Sequence, residues 1–392
     1  MNRFILNTEI QAFINNNINA DTTALLFKKT VFSSEELKLI IDQIAAKQRC
    51  LKKLNTWFNT PNIYYPNKLN IEQTSSETTA NYKASLIHGL SIIDITGGFG
   101  VDCFYFSKQF KQVTHCEINE TLSSIVAHNY RQLKTDTIKT LPKNGIDVLK
   151  ESNTSFDWIY IDPSRRHDSK GKVFFLNDCL PNVPLHLDLL FSKANNILIK
   201  TSPLLDLSIG INELKHVKTI HIVAVNNEVK ELLWVLENHF EGKITIKTVN
   251  LKKEKNEHFN FYLEDEKLIE PEYSLPLSYL YEPNASILKS GAFQSISNKL
   301  KVCKLHKHSH LYTSKNLINF PGRIFKIKTI LPYNKKAIKK LGITKANITT
   351  RNFPENVQQI RKKLNIKEGG LLYLFFTTDR NNQKIVLITN KP

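Results

Sequence analysis

The sequence predicts an α/β fold: a doubly wound, mainly parallel Rossmann-like sheet, preceded by a helical region and followed by a small basic α+β domain. Three observations point there. Short apolar runs alternate with helical stretches from Ser91 to about Asn250, a glycine-rich turn follows the first run, and the positive charge is confined to the C-terminal part. At 392 residues, 41% hydrophobic and 10% aromatic, the chain can bury two or three cores and is not disordered.

Residues 1–80 read as mostly helical. "SSEELKLIIDQIAAKQRCLKKL" carries serine caps, early acids, late lysines and apolar positions at helical spacing. "TPNIYYPNKLN" breaks the pattern with two prolines, and "EQTSSETTANYKASLIHGL" reads as a capped helix leading into the next unit. The opening "MNRFILNTEIQAFINNN" has no extended apolar region of a secretory signal, and no window approaches the ~18–20 apolar residues of a membrane span. Five scattered cysteines lack any CxxC or Cys/His metal spacing and read as reduced thiols. The expectation is a cytoplasmic protein without a structural metal.

Residues 81–275 form the α/β unit. The apolar runs are "SIIDI", "VTHCEI", "WIYID", "NNILIK", "TIHIVAV" and "KITIKTV". The helical stretches include "VDCFYFSKQF", "TLSSIVAHNYRQL" and "LHLDLLFSKA". Such alternation argues a sheet covered on both faces.

The acidic, proline-punctuated stretch before Asn284 marks a boundary, and residues 276–392 follow as a basic domain with a sub-boundary near 320. "FPGRIFKIKTIL", "NKKAIKKLGI", "ANITTRNF", "NVQQIRKKLNI", "GGLLYLFFTT" and "KIVLIT" read as strand, helix, strand, helix, strand, strand. From Asn284 to Pro392 there are 22 Lys/Arg against only Glu355, Glu368 and Asp379, whereas the rest of the chain is nearly neutral. Charge this asymmetric, interleaved with aromatic residues, points to a polyanion partner.

Ligands of open α/β sheets bind outside the carboxyl ends of the strands. There stands "DITGGFG", with Asp94, Thr96, Gly97, Gly98, Phe99 and Gly100, then Asp102 in the following helix. Glycines permit positive φ and close approach of a ligand. A dinucleotide fingerprint would place a third glycine where Cys103 stands. The next strand ends in "HCEIN", placing Glu117 and Ile118 where a carboxylate could take ribose hydroxyls.

Here the chain resembles class I S-adenosylmethionine-dependent methyltransferases. Their acid and glycine-rich turn match "DITGGFG", their second-strand acid matches Glu117, an acid near the adenine matches Asp147 in "NGIDVL", and their strand-end Asp-Pro matches Asp162-Pro163. More widely, "IEQTSSETTANYKASL", "YIDPSRR", "LIKTSPLLD", "YLYEPNASILKSGAF", "HLYTS", "FPGRIFKI" and "RNFPENVQQIRKKL" resemble a bacterial family of these enzymes with a THUMP-like C-terminal domain. The resemblance implies S-adenosylmethionine as cofactor and structured RNA, tRNA or rRNA, as substrate.

Methylation at pyrimidine C5 needs a cysteine nucleophile, and neither "IDPSRR" nor "LIKTSPLLD" supplies one. Base-amine methyltransferases carry Asp/Asn-Pro-Pro-aromatic; Asp162-Pro163-Ser164-Arg165 keeps the first half, with Phe174 or Phe175 as a candidate stacking ring. A third arrangement, Lys83, Asp162, Lys200 and Glu228, resembles the Lys-Asp-Lys-Glu order of ribose 2′-O-methyltransferases, in which a lysine helps deprotonate a hydroxyl. Its alternative is an ordinary polar rim of loop charges. Arg165 and Arg166, directly after Asp-Pro, are candidate substrate holders. Arg323, Arg351, Arg361, Lys362 and Lys363 are candidate phosphate contacts, and His306, His308 and His310 read as surface or RNA-facing. The sequence thus leads to an RNA methyltransferase acting on a base nitrogen or a ribose hydroxyl. The competing readings are a non-catalytic RNA-binding protein that retains the fold, and a DNA methyltransferase.

Overall fold

The computed structural model describes residues 1–27, 30–165 and 174–392, Arg165 by its backbone alone. The chain divides into two compact units, Met1–Val217 with Leu233–Glu241, and Lys218–Leu232 with Gly242–Pro392.

Among the described residues six α-helices open the first unit: α1 (Thr8–Asn16), α2 (Thr22–Leu26), α3 (Ser34–Lys53), α4 (Asn55–Asn59), α5 (Lys68–Gln73) and α6 (Glu77–Leu86). The long α3 begins at a capping box in which Ser33 and Glu36 bind each other's backbone amides, and it ends on Lys52 and Lys53. Ser76 caps α6 by accepting from the Thr79 amide. Both helix starts lie where the serine caps are read in the sequence.

The alternating part follows as β1 (Gly89–Asp94), α7 (Val101–Phe106), β2 (Phe110–Cys116), α8 (Glu120–Gln132), β3 (Ile138–Leu141) and α9 (Gly145–Glu151). It continues through β4 (Phe156–Ile161), the two-residue β5 (Ser164–Arg165) and β6 (Cys179–Leu180), α10 (Val183–Lys193), β7 (Ala194–Thr201) and α11 (Leu207–Glu213). Next come β8 (Val217–Val225), β9 (Glu228–Glu237), β10 (Thr245–Leu251), β11 (Glu257–Tyr262) and α12 (Leu263–Glu266). The order of the large sheet is β11-β10-β8-β9-β7-β4-β1-β2-β3. Pairs β7–β4, β4–β1, β1–β2 and β2–β3 are parallel, so β1, β2, β4 and β7 present their carboxyl ends at one edge. The doubly wound, mainly parallel fold is therefore present. The apolar-run reading omits β3, β9 and β11. The turn into β9 is Asn226-Asn227, both at positive φ, a hairpin connection that asparagine tolerates.

The second unit ends in β12 (Tyr279–Pro283), α13 (Ala285–Ser290), α14 (Phe293–Leu300), β13 (Cys303–Lys304), β14 (Tyr312–Ser314) and β15 (Gly322–Pro332). Then come α15 (Lys335–Lys340), β16 (Asn347–Arg351), α16 (Val357–Leu364), β17 (Tyr373–Thr378) and β18 (Lys384–Asn390), the order read from the sequence. Their sheet runs β13-β14-β12-β15-β18-β17-β16. Laid flat, β12 and β16 would stand about 19 Å apart, four strand spacings. Yet Arg351 Nη2 on β16 lies 2.7 Å from Glu282 Oε1 on β12, so the sheet is rolled. Leu280, Leu311, Phe325, Phe375 and Leu387 pack together into one core. Ile338 of α15 and Ile360 and Leu364 of α16 pack with Leu374, Phe376 and Val386 into a second core.

Candidate functional site

The site grows from the turn after β1. Asp94 ends that strand, and its carboxylate accepts from the Thr96 amide at 2.9 Å, the Thr96 hydroxyl at 3.2 Å and the Cys103 thiol at 3.3 Å. Burial pushes the Asp94 carboxyl up to about 7; the Thr96 and Cys103 donors oppose this, and the nearby Asp102 adds to it. Thr96 also reaches the neighbouring strand, where its hydroxyl oxygen accepts the Asp162 amide at 2.7 Å. One threonine thereby ties the ends of β1 and β4.

Two glycines shape the turn. Gly98 sits at φ +52°, donates its amide to Glu117 Oε2 at 3.0 Å, and a Cβ built there would meet nothing closer than Thr96 O at 3.8 Å. The space above Gly98 is open. Gly97 is the reverse case: a Cβ would lie 2.3 Å from the imidazole of His115, which fills the space beneath the turn. Glu117 also accepts from the Asn119 amide at 2.7 Å, and each carboxylate oxygen keeps a lone pair for a ligand hydroxyl. Ile118 beside it is 70% exposed, an apolar surface open to a flat ring.

Phe99 faces the other way: it is buried, with its ring 6.2 Å from that of Trp57. Asp102 likewise turns inward. Lys83 Nζ lies 3.2 Å from Asp102 Oδ1 and donates to Ser75 Oγ at 2.9 Å. Asp102 Oδ2 accepts from Ser75 Oγ at 2.8 Å and from the Tyr160 hydroxyl at 2.9 Å. This is a correction for Asp102, read in the sequence as a cofactor contact. Lys83, with a fully buried side chain, has Asp102 beside it, as a buried ammonium needs a carboxylate close by. The pair fastens α6 to the helix that follows the glycine turn. Lys83→Met is expected to lower stability by about 3 kcal/mol, the low end for breaking a buried pair, since Ser75 and Tyr160 still serve Asp102. Urea unfolding followed by circular dichroism measures it, and an unchanged midpoint would show that the pair does not fasten the two helices.

At the end of β4, Lys200 of β7 donates to both oxygens of Asp162, at 2.9 and 2.7 Å. Both side chains are partly exposed, 17% for Lys200 and 28% for Asp162. Pro163 is buried. β5 pairs with β6, which places Arg165 opposite Cys179 through the backbone. Cys179, distant in sequence, is thus close to the Asp-Pro corner, yet it is fully buried and its thiol donates to Phe175 O at 3.5 Å. Phe174 is buried and Phe175 is 40% exposed, so of the two rings only Phe175 offers a face. Arg166 lies outside the described residues. Glu228 opens β9 in the second compact unit, exposed and 2.6 Å from Lys230 Nζ. Asp147 sits in the first turn of α9, exposed, with Lys150 at 3.4 Å.

In the second unit, Arg323 and Arg351 both bind the buried Glu282 carboxylate. Arg361 Nη1 donates to Ala346 O and Ile366 O, each at 3.2 Å, clasping the chain on either side of α16. Lys363 donates to Glu355 Oε1 at 3.0 Å and to the Tyr333 hydroxyl at 2.9 Å, whereas Lys362 is exposed. His306 is buried: the His308 amide and Asn352 Nδ2 donate to its Nδ1 at 3.1 and 2.8 Å, and its Nε2 bonds Asn382 Oδ1 at 3.0 Å. That histidine is structural, not surface.

Comparison with known proteins agrees with this layout. Residues 279–321 match a ferredoxin-like domain family and residues 322–391 a THUMP domain-like family. A crystal structure described as a "putative methyltransferase" from Porphyromonas gingivalis W83 is 31% identical, covering 99% of this chain and 98% of that one, with a TM-score of 0.88. Weaker likenesses cover smaller parts of the chain. One is the Escherichia coli methyltransferase yhhF, also called putative (19% identity, 42% of this chain and 85% of that one, TM-score 0.31). Another is M. capricolum TrmK with S-adenosyl-homocysteine (18% identity, 41% and 69%, TM-score 0.32). No curated protein matches the sequence. The chain belongs to the family of the Porphyromonas protein, class I methyltransferases that carry a THUMP-like domain at the C-terminus.

Proposed function

We propose that the protein is an S-adenosylmethionine-dependent methyltransferase acting on structured RNA, tRNA or rRNA, at a base nitrogen or a ribose hydroxyl. Its division of labour is a helical region over residues 1–80, a catalytic domain over 81–275 and an RNA-docking region over 276–392. The observation that carries the reading is one turn serving two strand ends: Gly98 binds Glu117, and Thr96 binds Asp162.

The residues present fit the cofactor. The space above Gly98 admits a ligand against the backbone, Glu117 can accept two ribose hydroxyls, and Ile118 offers the adenine an apolar face. When bound, S-adenosylmethionine supplies a sulfonium methyl for direct, in-line transfer. Asp94 gains from a nearby cationic ligand, because positive charge favours its ionised form. Asp162 and Lys200 hold the acceptor group and take up its proton. Of the four-residue ribose arrangement, Asp162 and Lys200 stand in direct contact at the strand ends, and the acceptor chemistry is assigned to that pair. The concentrated positive charge of the C-terminal region suits RNA as the polymer.

Calorimetry with S-adenosylmethionine and with Glu117→Ala tests the cofactor. Charged hydrogen bonds of about 1.5–3 kcal/mol predict a roughly 10- to 100-fold weaker Kd for the variant. Mass spectrometry of nucleosides from tRNA and rRNA, with and without the gene, tests the substrate; one methylated nucleoside should be missing. No cofactor binding with RNA binding retained would point to a non-catalytic RNA-binding protein.

A further inference from the structure

At the rim of the rolled sheet in the second unit lies Glu282. This carboxylate is 3% exposed, and two guanidinium groups close on it. Arg323 Nε donates to Oε2 at 2.6 Å and Nη2 also reaches Thr349 Oγ1 at 3.4 Å; Arg351 Nη2 lies 2.7 Å from Oε1. One carboxylate balances one guanidinium, so the group carries a surplus positive charge. Both arginine side chains stay open to solvent, at 44% and 37%. Arg323 Nη1 and Arg351 Nε have no acceptor among the described residues.

The surroundings add positive charge. Burial, and then Lys304, His308 and Arg351, hold His310 down at about 4. Burial pushes the Lys304 ammonium below its usual value, and Glu266 opposes this. Neutralising Glu282 needs a single arginine. A second one leaves the group with a net positive charge that a further anion would offset.

We propose that Arg323 and Arg351, set side by side by Glu282 at the rim of the rolled sheet, form a seat for one phosphodiester group of the bound RNA. The planar forks suit phosphate oxygens, and Glu282 fixes their orientation before binding, so little side-chain entropy is lost when the phosphate arrives. Glu282 on β12 lies in the ferredoxin-like segment, and Arg323 on β15 and Arg351 on β16 lie in the THUMP-like segment, so the seat exists only when both matched segments share one sheet. The inference rests on the reading of the protein as RNA-binding and adds where a phosphate is held.

The test is a filter-binding titration of the full chain against unfractionated bacterial tRNA over a salt series. Arg323→Gln and Arg351→Gln should each weaken binding about 5- to 10-fold and lower the slope of log affinity against log salt by about 0.7–1. Thermal melting verifies that the variants fold; if either glutamine variant does not, Arg323→Lys and Arg351→Lys decide, since lysine keeps the charge on Glu282 and loses the fork. Inorganic phosphate is the second arm. If it binds the folded wild type while the variants keep wild-type tRNA affinity and slope, the seat holds a free anion and the proposal is overturned. Unchanged slopes in folded glutamine variants, or wild-type affinity in the lysine variants where those decide, overturn it equally and leave RNA binding standing. Absence of salt-sensitive tRNA binding in the wild type overturns the RNA reading and the seat together.

Discussion

Gly97→Ala should abolish methyl transfer, and His115→Ala in the same chain should restore part of what it destroys. Gly97 donates its amide to Cys116 O at 2.8 Å, so the turn cannot lift away without breaking the link to β2. An alanine Cβ would stand 2.3 Å from His115 Nε2, 2.4 Å from Cδ2 and 2.7 Å from Cε1, against the face of a ring and not a flexible tip. That ring has nowhere to go. It is fully buried on β2, packs edge-on to Tyr130 with centroids 5.9 Å apart, and hydrogen-bonds Gly98 O at 3.3 Å. A carbonyl only accepts, so Nε2 carries the proton, and burial holds the imidazole neutral with its pKa down at about 4.

The substitution therefore pushes the turn by an ångström or more, into the space where Gly98 and Glu117 would meet the cofactor. Overpacking of this kind costs about 1–3 kcal/mol, and a displacement near 1 Å costs roughly 10²-fold or more in rate. His115→Ala alone opens a cavity and is destabilising. The two together should cost less than their sum, with a coupling of about 0.5–3 kcal/mol. Calorimetry with S-adenosylmethionine and urea unfolding on the four proteins of the cycle measure this. Normal cofactor binding by Gly97→Ala with His115 intact would show that the turn is not the cofactor's floor.

His115 also shows where sequence reading stops. Strand ends, glycine turn and the acids Asp94, Glu117 and Asp162 are legible because apolar periodicity and turn chemistry are local properties of the chain. What fills the space beneath a glycine comes from another strand. Lys83 is a similar case: it stands at the right place in the order of a catalytic set, but the orientation of α6 aims it at Asp102, and nothing local shows that. Glu282 is the furthest from reach. Its partner Arg351 lies on a strand separated from it by three others, and only the roll of the sheet joins them. Likewise β9 hides behind Asn226-Asn227, a turn that needs no glycine when asparagine takes positive φ. Cys179 is the converse, remote in sequence and near the Asp-Pro corner, but sealed from it by burial.

Asp162→Asn should leave cofactor affinity within about threefold and reduce methyl transfer to RNA by roughly 10²-fold or more, the usual scale of proton handling by a positioned side chain. The asparagine keeps the shape of the carboxylate, and the backbone amide of residue 162 can still donate to Thr96 Oγ1, so the β1–β4 tie survives. What it loses is the charge that holds Lys200 by two bonds. Lys200 then separates two mechanisms. If its amine itself removes the acceptor proton, Lys200→Arg should be as inactive as Lys200→Met, because guanidinium does not give up its proton near neutral pH. If Lys200 is a positioning residue that aims Asp162, Lys200→Arg should recover much of the rate, since arginine can bind both carboxylate oxygens at once. Transfer of labelled methyl into RNA from cells lacking the gene reads the rate, and calorimetry reads cofactor binding separately. Full activity in Asp162→Asn and Lys200→Met, with normal cofactor binding, would remove the pair from the chemistry and return it to an ordinary ion pair at the sheet edge, worth about 0–1 kcal/mol at this exposure. Loss of activity in both, with only Lys200→Arg recovering, assigns the proton to Asp162 and the aim to Lys200.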